Sequence, residues 1–534
     1  MSRRQAAAGP ETGTAPTTGA AGTAPMTHRE VLEALSGLLL AMFVAMLSST
    51  VVSSALPRIV ADLHGSEAGY SWVVVATLLT LTATTPIWGK LADQFNKKLL
   101  VQLSLLVYVG GSMVAGLAHS MGLLIAARAI QGVGVGGLSA LVQIVIASIV
   151  VARERGRYFG YLGAVFAVAT VSGPLIGGVI VDTSWLGWRW CFYVTIPFAV
   201  VAFAVLQKTL HLPTVKRRVS VDYLGALLVT SGVSVLLVWV SLAGSQYPWL
   251  SVTTAWMVPL GLLLLGVFVL TETRVREPVI PLHLFLDRTI SLAVFASVMV
   301  GVAMFGATVF LVEYFQIARG MSPTRAGLMT LFMVGGLLVS SIVTGRIIAA
   351  TGKWKRYLLG GSLLMVAGAA LLSRIQPGVG LWTVGGYMAV LGLGVGAVNQ
   401  NLVLAVQNSA AQRDIGAASS LAAFFRTMGG SIGVSALGSV LGNQVADRVA
   451  HGLAALGIAP PRGGGEGTSV PDLSTLPAPV REVVQSAFAY ATGHIFLVAT
   501  PFAVLAVLAI LFIRESPLRE TIERQDELEQ LARD

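Results

Sequence analysis

The chain has 534 residues, of which 55% are hydrophobic and 11% are charged, and its mean hydropathy is +0.79. A soluble domain carries about 25% charged residues, so this composition excludes an ordinary soluble protein. The 35 Lys and Arg residues exceed the 25 Asp and Glu residues, but they cluster in short loops between apolar segments, which indicates membrane orientation rather than nucleic-acid binding.

Taken in chain order, residues 1–28 are rich in Ala, Gly, Thr and Pro, which predicts a disordered cytoplasmic tail. Apolar stretches long enough to cross a bilayer, about 20 residues each, then recur in three groups. Six fall within 31–210, two within 220–272 and six within 289–513, and they cover 31–54, 72–88, 99–118, 126–146, 157–180, 190–206, 223–243, 254–271, 289–317, 325–350, 357–373, 382–406, 416–441 and 490–513. The sequence therefore predicts an all-α polytopic membrane protein with fourteen spans.

The loops and tails complete this organisation. A Gly- and Pro-rich outer loop is predicted over 442–488, and a charged cytoplasmic tail over 514–534. The basic segments "GKLADQFNKK", "VARERGRY" and "GKWKRY" occupy alternate loops. Under the positive-inside rule these loops are cytoplasmic, and an even number of spans then places both termini in the cytoplasm.

A glycine pattern raises a choice between two kinds of protein. Gly132, Gly134 and Gly137 match the G-x-G-x-x-G of a dinucleotide-binding turn, but that fold needs a preceding strand. Here the run lies inside an apolar segment and repeats: "QGVGVGGLSALVQIVIA" aligns with "LGLGVGAVNQNLVLAVQ" at residues 391–407. We therefore predict close helix packing, no cofactor, and two copies of a six-helix bundle with an inserted helix pair.

Three ionisable residues fall inside spans, where each costs about 2.5 to 3.5 kcal/mol and marks a functional candidate. These are Arg128, Glu313 and Arg426. Burial disfavours a charged Glu and a nearby arginine favours it, so a small movement can load or release a proton. The alternative for Glu313 is a static ion pair or a side chain that reaches the membrane interface.

Polar and aromatic side chains gather in the second half and predict a cavity for a bulky amphipathic ligand. The alternative for each is interhelical hydrogen bonding or apolar filling. The candidates are Asn399, Gln400, Asn401, Phe305, Phe310, Tyr314, Phe424 and Phe425.

With these motifs, the sequence between 35 and 513 resembles the major facilitator superfamily, specifically its fourteen-helix drug/proton antiporters of the EmrB/QacA type. "GKLADQFNKK" is similar to the loop after the second span, "RAIQGVGVGG" to the fourth-span motif, and "GYLGAVFAVATVSGPLIGG" to the fifth-span exporter motif. The resemblance implies a proton-coupling role for Arg128. It implies gating or conformational roles for Gly89, Asp93, Lys97, Lys98, Gly173, Pro174, Gly177 and Gly178.

The first span departs from the family pattern, because Ser48 stands where a membrane aspartate is expected and Ser53 where an asparagine is expected. Arg128 then lacks its usual acidic partner. We therefore hypothesise that Glu313 replaces the missing acid, and that two buried arginines against one glutamate leave a cavity that is neutral or positive.

The predicted function is a proton-driven exporter of multiple drugs or antibiotics, because the sequence has no P-loop to bind ATP and carries the exporter motif. The alternative is a secondary transporter of one natural product or anionic lipid-like compound. The sequence shows no cluster of catalytic residues that would favour an enzyme. The expected partners are a lipophilic small molecule, protons and the bilayer of a bacterial cell membrane, with no nucleic acid, and the resemblance implies a monomer.

Overall fold

A computed structural model describes residues 28–65, 67–183, 185–210, 222–244, 247–275, 277–458 and 477–519. The chain forms sixteen α-helices over these ranges, two short 3-10 turns at Leu282–Leu286 and Gln412–Asp414, and one isolated bridge between Ala243 and Tyr247. The prediction of an all-α fold is confirmed.

The first half contains seven of these helices, and two of them begin at a side chain that caps the first turn. Asn96 accepts hydrogen bonds from the Lys98 and Leu99 amides, and Ser120 accepts one from Leu123. Such oxygens satisfy amides that have no partner within the helix. The helices are α1 (His28–Asp62), α2 (Glu67–Gln94), α3 (Lys97–Gly116), α4 (Met121–Ile149), α5 (Ala152–Asp182), α6 (Trp190–Tyr193) and α7 (Thr195–Thr209).

The second half and the inserted pair follow the same rules, with Asp222, Ser251 and Asp287 capping α8, α9 and α10. The inserted pair is α8 (Tyr223–Leu242) and α9 (Val252–Glu272). The second half is α10 (Arg288–Ile317), α11 (Pro323–Met329), α12 (Leu331–Thr351), α13 (Lys355–Leu372), α14 (Leu381–Ser409), α15 (Ile415–Ala455) and α16 (Ala478–Phe512).

Within the described ranges, thirteen helical spans are long and apolar enough to cross a bilayer, where α6 with α7 and α11 with α12 each count as one span. The fourteenth predicted span, 416–441, lies in α15. This helix is less apolar because Arg426 and several Gly and Ser residues interrupt it, but it packs along α10 and α2 in the interior. Together these helices give the predicted two six-helix bundles and inserted pair.

Two segments differ from the expected boundaries. Helix α15 continues to Ala455 and α16 begins at Ala478, so much of the outer loop predicted over 442–488 is helical. Hydropathy falls after 441, but about half of residues 443–455 are Ala, Gln, Arg or Leu, which favour a helix, and residues 459–476 lie outside the described residues. At the other end, the first residues of the predicted tail bind the protein: Glu515 accepts hydrogen bonds from the amides of Trp354 (2.8 Å) and Lys355 (3.0 Å). Of the tail predicted over 1–28, residues 1–27 lie outside the described residues, and α1 begins at His28.

The glycine repeat has the same structural role in both halves. A β-carbon added at Gly134 would lie 2.6 Å from the Ser104 carbonyl of α3, and one at Gly394 would lie 2.4 Å from the Met365 amide of α13. Gly132 faces α2 in the same way that Gly392 faces α12. The runs therefore allow backbones to touch in lipid, and the prediction of helix packing is confirmed.

The two halves meet along two lines, α5 against α12 and α2 against α15. We call these two lines of contact together the seam. The inserted pair packs through α8 on α2 and α15. We call the end of the helices that carries residues 95–96, 150–151 and 352–354 the basic face, and the other end the opposite face.

Candidate functional site

A cavity of about 330 Å³ lies between the halves, within the range of small-molecule sites. Eight helices line it: α1, α2, α4 and α5 from the first half, and α10, α12, α14 and α15 from the second. On α1 the lining runs to Leu56, and on α2 it starts at Val73, close to the opposite-face ends of both helices. The cavity therefore lies at the centre of the seam and extends towards the opposite face.

The cavity wall is amphipathic. Met42, Met46, Phe166 and Phe305 supply apolar and aromatic surface, and the polar lining side chains are Ser48, Ser49, Thr50, Thr77, Thr85, Arg128, Ser139, Gln143, Thr170, Thr308, Ser341, Asn399, Gln400, Arg426 and Thr427. Such a wall suits a ligand with a large apolar body and a few polar groups.

Arg128 is held at the first-half side of the cavity. It is 5% exposed, and its Nη1 donates to Gln131 Oε1 at 3.0 Å, while its Nε lies 3.5 Å from the Val73 carbonyl. Gln131 in turn donates to Ser112 Oγ at 2.7 Å. These neutral acceptors orient the guanidinium and leave its charge uncompensated.

Arg426 supplies the second charge from the other half. Its Nη1 donates to Asn399 Oδ1 at 2.7 Å, which joins α15 to α14. Asn399 and Ser139, which the glycine repeat places at equivalent positions, both line the cavity. Two guanidinium groups thus face the cavity, and none of its described lining residues is Asp or Glu. Ser48, where the family pattern has an acid, is among them and is 3% exposed.

Five predicted site residues line the cavity, and the others lie elsewhere. Arg128, Arg426, Phe305, Asn399 and Gln400 are in the lining. Asn401 is buried behind it, where its amide donates to the Ala397 carbonyl at 2.7 Å.

The predicted aromatic residues mostly pack in the core. Tyr314 lies nine residues after Phe305, which is about half a turn round the helix at about 100° per residue, and its hydroxyl accepts a hydrogen bond from Arg319. Phe310 is buried in the core, and Phe424 packs edge-to-face on Phe425 with ring centroids 5.1 Å apart.

Glu313 is also outside the lining. It lies on α10, half-buried, one and a half turns beyond Thr308. It makes no hydrogen bond or ion pair with any residue in the described part of the chain. The Glu313 hypothesis therefore needs an indirect connection to the cavity along α10.

At the basic face, Asp93 of α2 closes one side of the seam. Its two oxygens accept hydrogen bonds from the amides of Gly416 (2.7 Å) and Ala417 (2.8 Å) at the start of α15. An anion at a helix N-terminus is favoured by the partial positive charge there. Gly89 makes this approach possible, because a β-carbon there would lie 2.8 Å from the Gly416 carbonyl.

The predicted lysines lie beside this contact. Lys97 is close enough to Asp93 to interact with it electrostatically. Lys98 instead donates to the Gln207 carbonyl at 2.8 Å, inside the first half.

The other side of the seam is closed by α5 and α12. A β-carbon at Gly345 would lie 2.0 Å from the Gly156 carbonyl, so the two backbones touch. Arg153 Nε donates to the Ala349 carbonyl at 3.1 Å near the end of α12, and its Nη2 donates to Ala350 at 3.3 Å. Both sides of the seam at the basic face are thus held by contacts to helix ends.

The fifth-span residues have separate positions. Gly173 faces α1, since a β-carbon there would lie 2.0 Å from Thr50 Oγ1. Gly177 is buried, and a β-carbon at Gly178 would meet open space. Pro174 lies within α5, but its side chain is outside the described residues. The small residues of α5 that contact the other half lie nearer its start, where Gly156 faces Gly345 and Gly160 faces Ile342.

Sequence reasoning missed Arg155 of α5, which reaches α14 of the other half while 5% exposed. It donates to the Val150 carbonyl (2.9 Å), the Ala147 carbonyl (2.7 Å) and Gln407 Oε1 (3.2 Å). Gln407 also donates to Ser419 Oγ at 3.0 Å. Arg155 belongs to the basic run "VARERGRY", whose charges indicate orientation, and no pattern in the run separates this buried arginine from its exposed neighbours.

Two helical bundles that enclose a central cavity and seal it at one face define a class of membrane transporters. Comparison with known proteins gives the family: residues 38–434 match the model of the Major Facilitator Superfamily. The chain belongs to this superfamily.

Relatives of known name are similar over most of the chain. An uncharacterized MFS-type transporter of Mycobacterium tuberculosis is 34% identical over 496 residues, 92% of this chain and 71% of the relative. The efflux pump dotC of Dothistroma septosporum is 34% identical over 497 residues, 92% of this chain and 84% of the pump. The multidrug transporter protein MdtP of Bacillus subtilis is 32% identical over 419 residues, 78% of this chain and 77% of that protein.

Solved structures agree on the fold. The proton:xylose symporter XylE has a TM-score of 0.61 at 15% identity, covering 95% of this chain and all of that one. The human organic anion transporter MFSD10 has a TM-score of 0.58 at 14% identity, covering 89% of this chain and 99% of that one. With the superfamily match and the named relatives, the protein is a membrane transporter of small molecules rather than an enzyme.

Proposed function

We propose that the protein is a proton-driven exporter of lipophilic small molecules, a drug/proton antiporter of the fourteen-helix branch that works by alternating access. The observation that carries this proposal is the amphipathic cavity between two bundles that are sealed by Asp93 at the basic face. Rocking about such a seam exposes a central site to each side in turn. Relatives named as efflux pumps and a multidrug transporter support export.

The proposed orientation places the basic face and both termini in the cytoplasm of a bacterial cell, with Arg128, Arg426 and Glu313 in proton coupling. The basic loops support this orientation through the positive-inside rule. The described conformation, closed at the basic face, then corresponds to the state that releases cargo outside.

Antiport is tested with inside-out membrane vesicles whose interior is made acidic. Adding a cargo should release protons only when the protein is present. We expect Glu313→Gln to abolish this release while cargo still stabilises the solubilised protein against thermal unfolding. Glu482→Gln, which changes an exposed glutamate on α16, is the matched control. Proton release that persists in correctly inserted Glu313→Gln protein would refute the coupling role.

A second candidate, transport of an anionic lipid-like compound, is favoured by the charges of the cavity. Arg128 and Arg426 face it without a carboxylate among its described lining residues, and Gln143 and Gln400 each have a buried side-chain oxygen without a described partner. An anionic cargo with hydrogen-bond donors would satisfy both kinds of group. A cationic cargo would meet two like charges.

This candidate is tested with amphipathic probes that share one apolar body and differ only in a carboxylate, a neutral amide or an amine. We expect the carboxylate probe to bind best. Arg426→Gln should weaken its binding at least tenfold and change that of the neutral probe little, whereas the exposed Arg325→Gln should change neither. Tighter binding of the amine probe by the wild-type protein would reject anionic cargo but leave export itself open.

A further inference from the structure

The inserted helices carry a carboxyl group at each of their basic-face ends. Asp222 caps α8, and its Oδ1 accepts a hydrogen bond from the Gly225 amide at 2.8 Å. Glu272, the last residue of α9, is 4% exposed, and its Oε1 accepts from the amides of Val279 (3.0 Å) and Ile280 (3.3 Å). Each group thus uses one oxygen to hold local backbone.

The second oxygen of each group is buried without a donor. Neither Asp222 Oδ2 nor Glu272 Oε2 has a hydrogen-bond partner among the described residues. The two groups are also neighbours, because a β-carbon added to Gly225 would lie 2.2 Å from Asp222 Oδ2 and 3.0 Å from Glu272 Oε1. Two ionised carboxylates in this position would repel each other and leave two buried acceptors unsatisfied, which is costly.

The described residues around the pair supply little positive charge. Lys90 of α2 acts on Glu272, but it also acts on Asp93 and lies 3.5 Å from Glu277 Oε2. Glu277 additionally accepts a hydrogen bond from Gln94 at 2.9 Å.

The other charged groups that the structure describes near this end do not compensate the pair. Lys97 acts on Asp93, and Arg274 is exposed. Ahead of α15, Asp414 is already paired with His283 at 3.1 Å and with Arg413 at 3.5 Å. Asp93, Glu272 and Glu277 therefore share Lys90, with Lys97 beside Asp93 alone.

We propose that Asp222 and Glu272 form a proton-binding site of the inserted helices, in which one proton is shared between the two carboxyl groups as an O–H···O hydrogen bond. The proton makes one carboxyl a donor to the other, so it satisfies both buried oxygens and removes one negative charge. No other reactant is needed.

This site adjoins the seam through Lys90. When the proton leaves, the pair gains a negative charge that draws Lys90 away from Asp93 and Glu277. Asp93 then keeps less cationic support while it binds the start of α15. The pair thus reports the pH at the basic face to the seam, separately from the cavity and from Glu313.

The test uses the full-length protein in lipid nanodiscs, without cargo, so that it is independent of the proposed transport function. Infrared spectroscopy follows the carbonyl stretch of protonated carboxyl groups as the pH is raised. We expect a band that is lost in Asp222→Asn and in Glu272→Gln, because each amide keeps the shape and supplies a fixed N–H donor. Glu277→Gln, in the same cluster but outside the pair, should keep the band.

A second readout follows the seam with spin labels at Glu154→Cys and Lys353→Cys in a Cys191→Ser background. Both positions are exposed at the basic face on opposite halves. The distance between the labels should depend on pH in the wild-type background and lose that dependence in either amide variant. If one variant does not fold, the other and the wild-type titration still decide.

Two results would overturn the proposal. One is a band and a pH-dependent distance that survive in both amide variants. The other is a wild-type pair that has no protonated band and instead responds to sodium or calcium ions, which would make it a cation site.

Discussion

Neutralising Asp93 should open the seam at the basic face. The side chain makes two short hydrogen bonds from its carboxylate to the first amides of α15, and this contact exists only while the two halves are together there. In Asp93→Asn, the amide oxygen can keep one of these bonds, but the second bond and the negative charge are lost.

The expected size of the effect follows from this geometry. A hydrogen bond to a charged group contributes about 1.5 to 3 kcal/mol. Losing one such bond and weakening the other should therefore destabilise the closed seam by about 2 kcal/mol, which is about a 30-fold change in the ratio of closed to open molecules. A ligand or mutation shifts such an equilibrium only by its differential effect on the two states.

The assay is the distance distribution between the spin labels at Glu154→Cys and Lys353→Cys. We expect Asp93→Asn to transfer population from the short distance to a longer one. Asp287→Asn is the matched control, because Asp287 also caps a helix at this face, accepting from the Ile290 amide at 2.9 Å, but lies within one half. Equal shifts in both variants, or none in Asp93→Asn, would refute the argument that Asp93 acts across the seam.

Two glycine contacts give further predictions with controls on the same helix. Gly345→Ala should abolish transport, because its β-carbon would overlap the Gly156 carbonyl and hold the seam apart. The control Gly335→Ala should be tolerated, since nothing lies within 4 Å of its β-carbon. Transport in both variants would contradict this prediction. Gly134→Ala should lower the thermal unfolding temperature by forcing α3 and α4 apart. The control Gly122→Ala has open space around its β-carbon and should not lower it. Equal unfolding temperatures for the two variants would show that α3 and α4 move apart at this contact without loss of stability.

The fold could be predicted from the sequence because lipid imposes a simple requirement on it. Each span must be apolar over about 20 residues, and the glycine run at 132–136 reappears at 392–396 because both runs let a neighbouring backbone approach. Helix ends beyond the bilayer are not constrained in this way. The extension of α15 to Ala455 was therefore not predictable from hydropathy.

The site could be predicted only in part, for a geometric reason. Arg128 and Arg426 stood out because charge inside a span is costly. The side chains that share the cavity with them depend on how each helix is rotated, which the sequence does not specify: Phe305 reaches the cavity, while Tyr314 on the same helix faces the core. Arg155 lies in a basic run, and its burial depends on the second half packing over it.

The charge of the cavity constrains the proton coupling that we propose for this transporter. With Ser48 in the lining and no carboxylate beside either arginine, cargo and proton have no shared acid in the cavity among the described residues.

Glu313 lies five residues beyond Thr308 on α10, about 7.5 Å along the helix axis. Under the coupling that we propose, a proton on Glu313 would therefore act on the cargo through the position of α10 and not by direct competition. Under direct competition, cargo binding releases the proton within the same conformation; under the indirect scheme, protonation changes cargo affinity only as far as the two halves move. Locking the seam with a thiol-reactive cross-linker that joins Glu154→Cys and Lys353→Cys separates the two schemes. We expect cargo affinity to lose its dependence on pH in the locked protein.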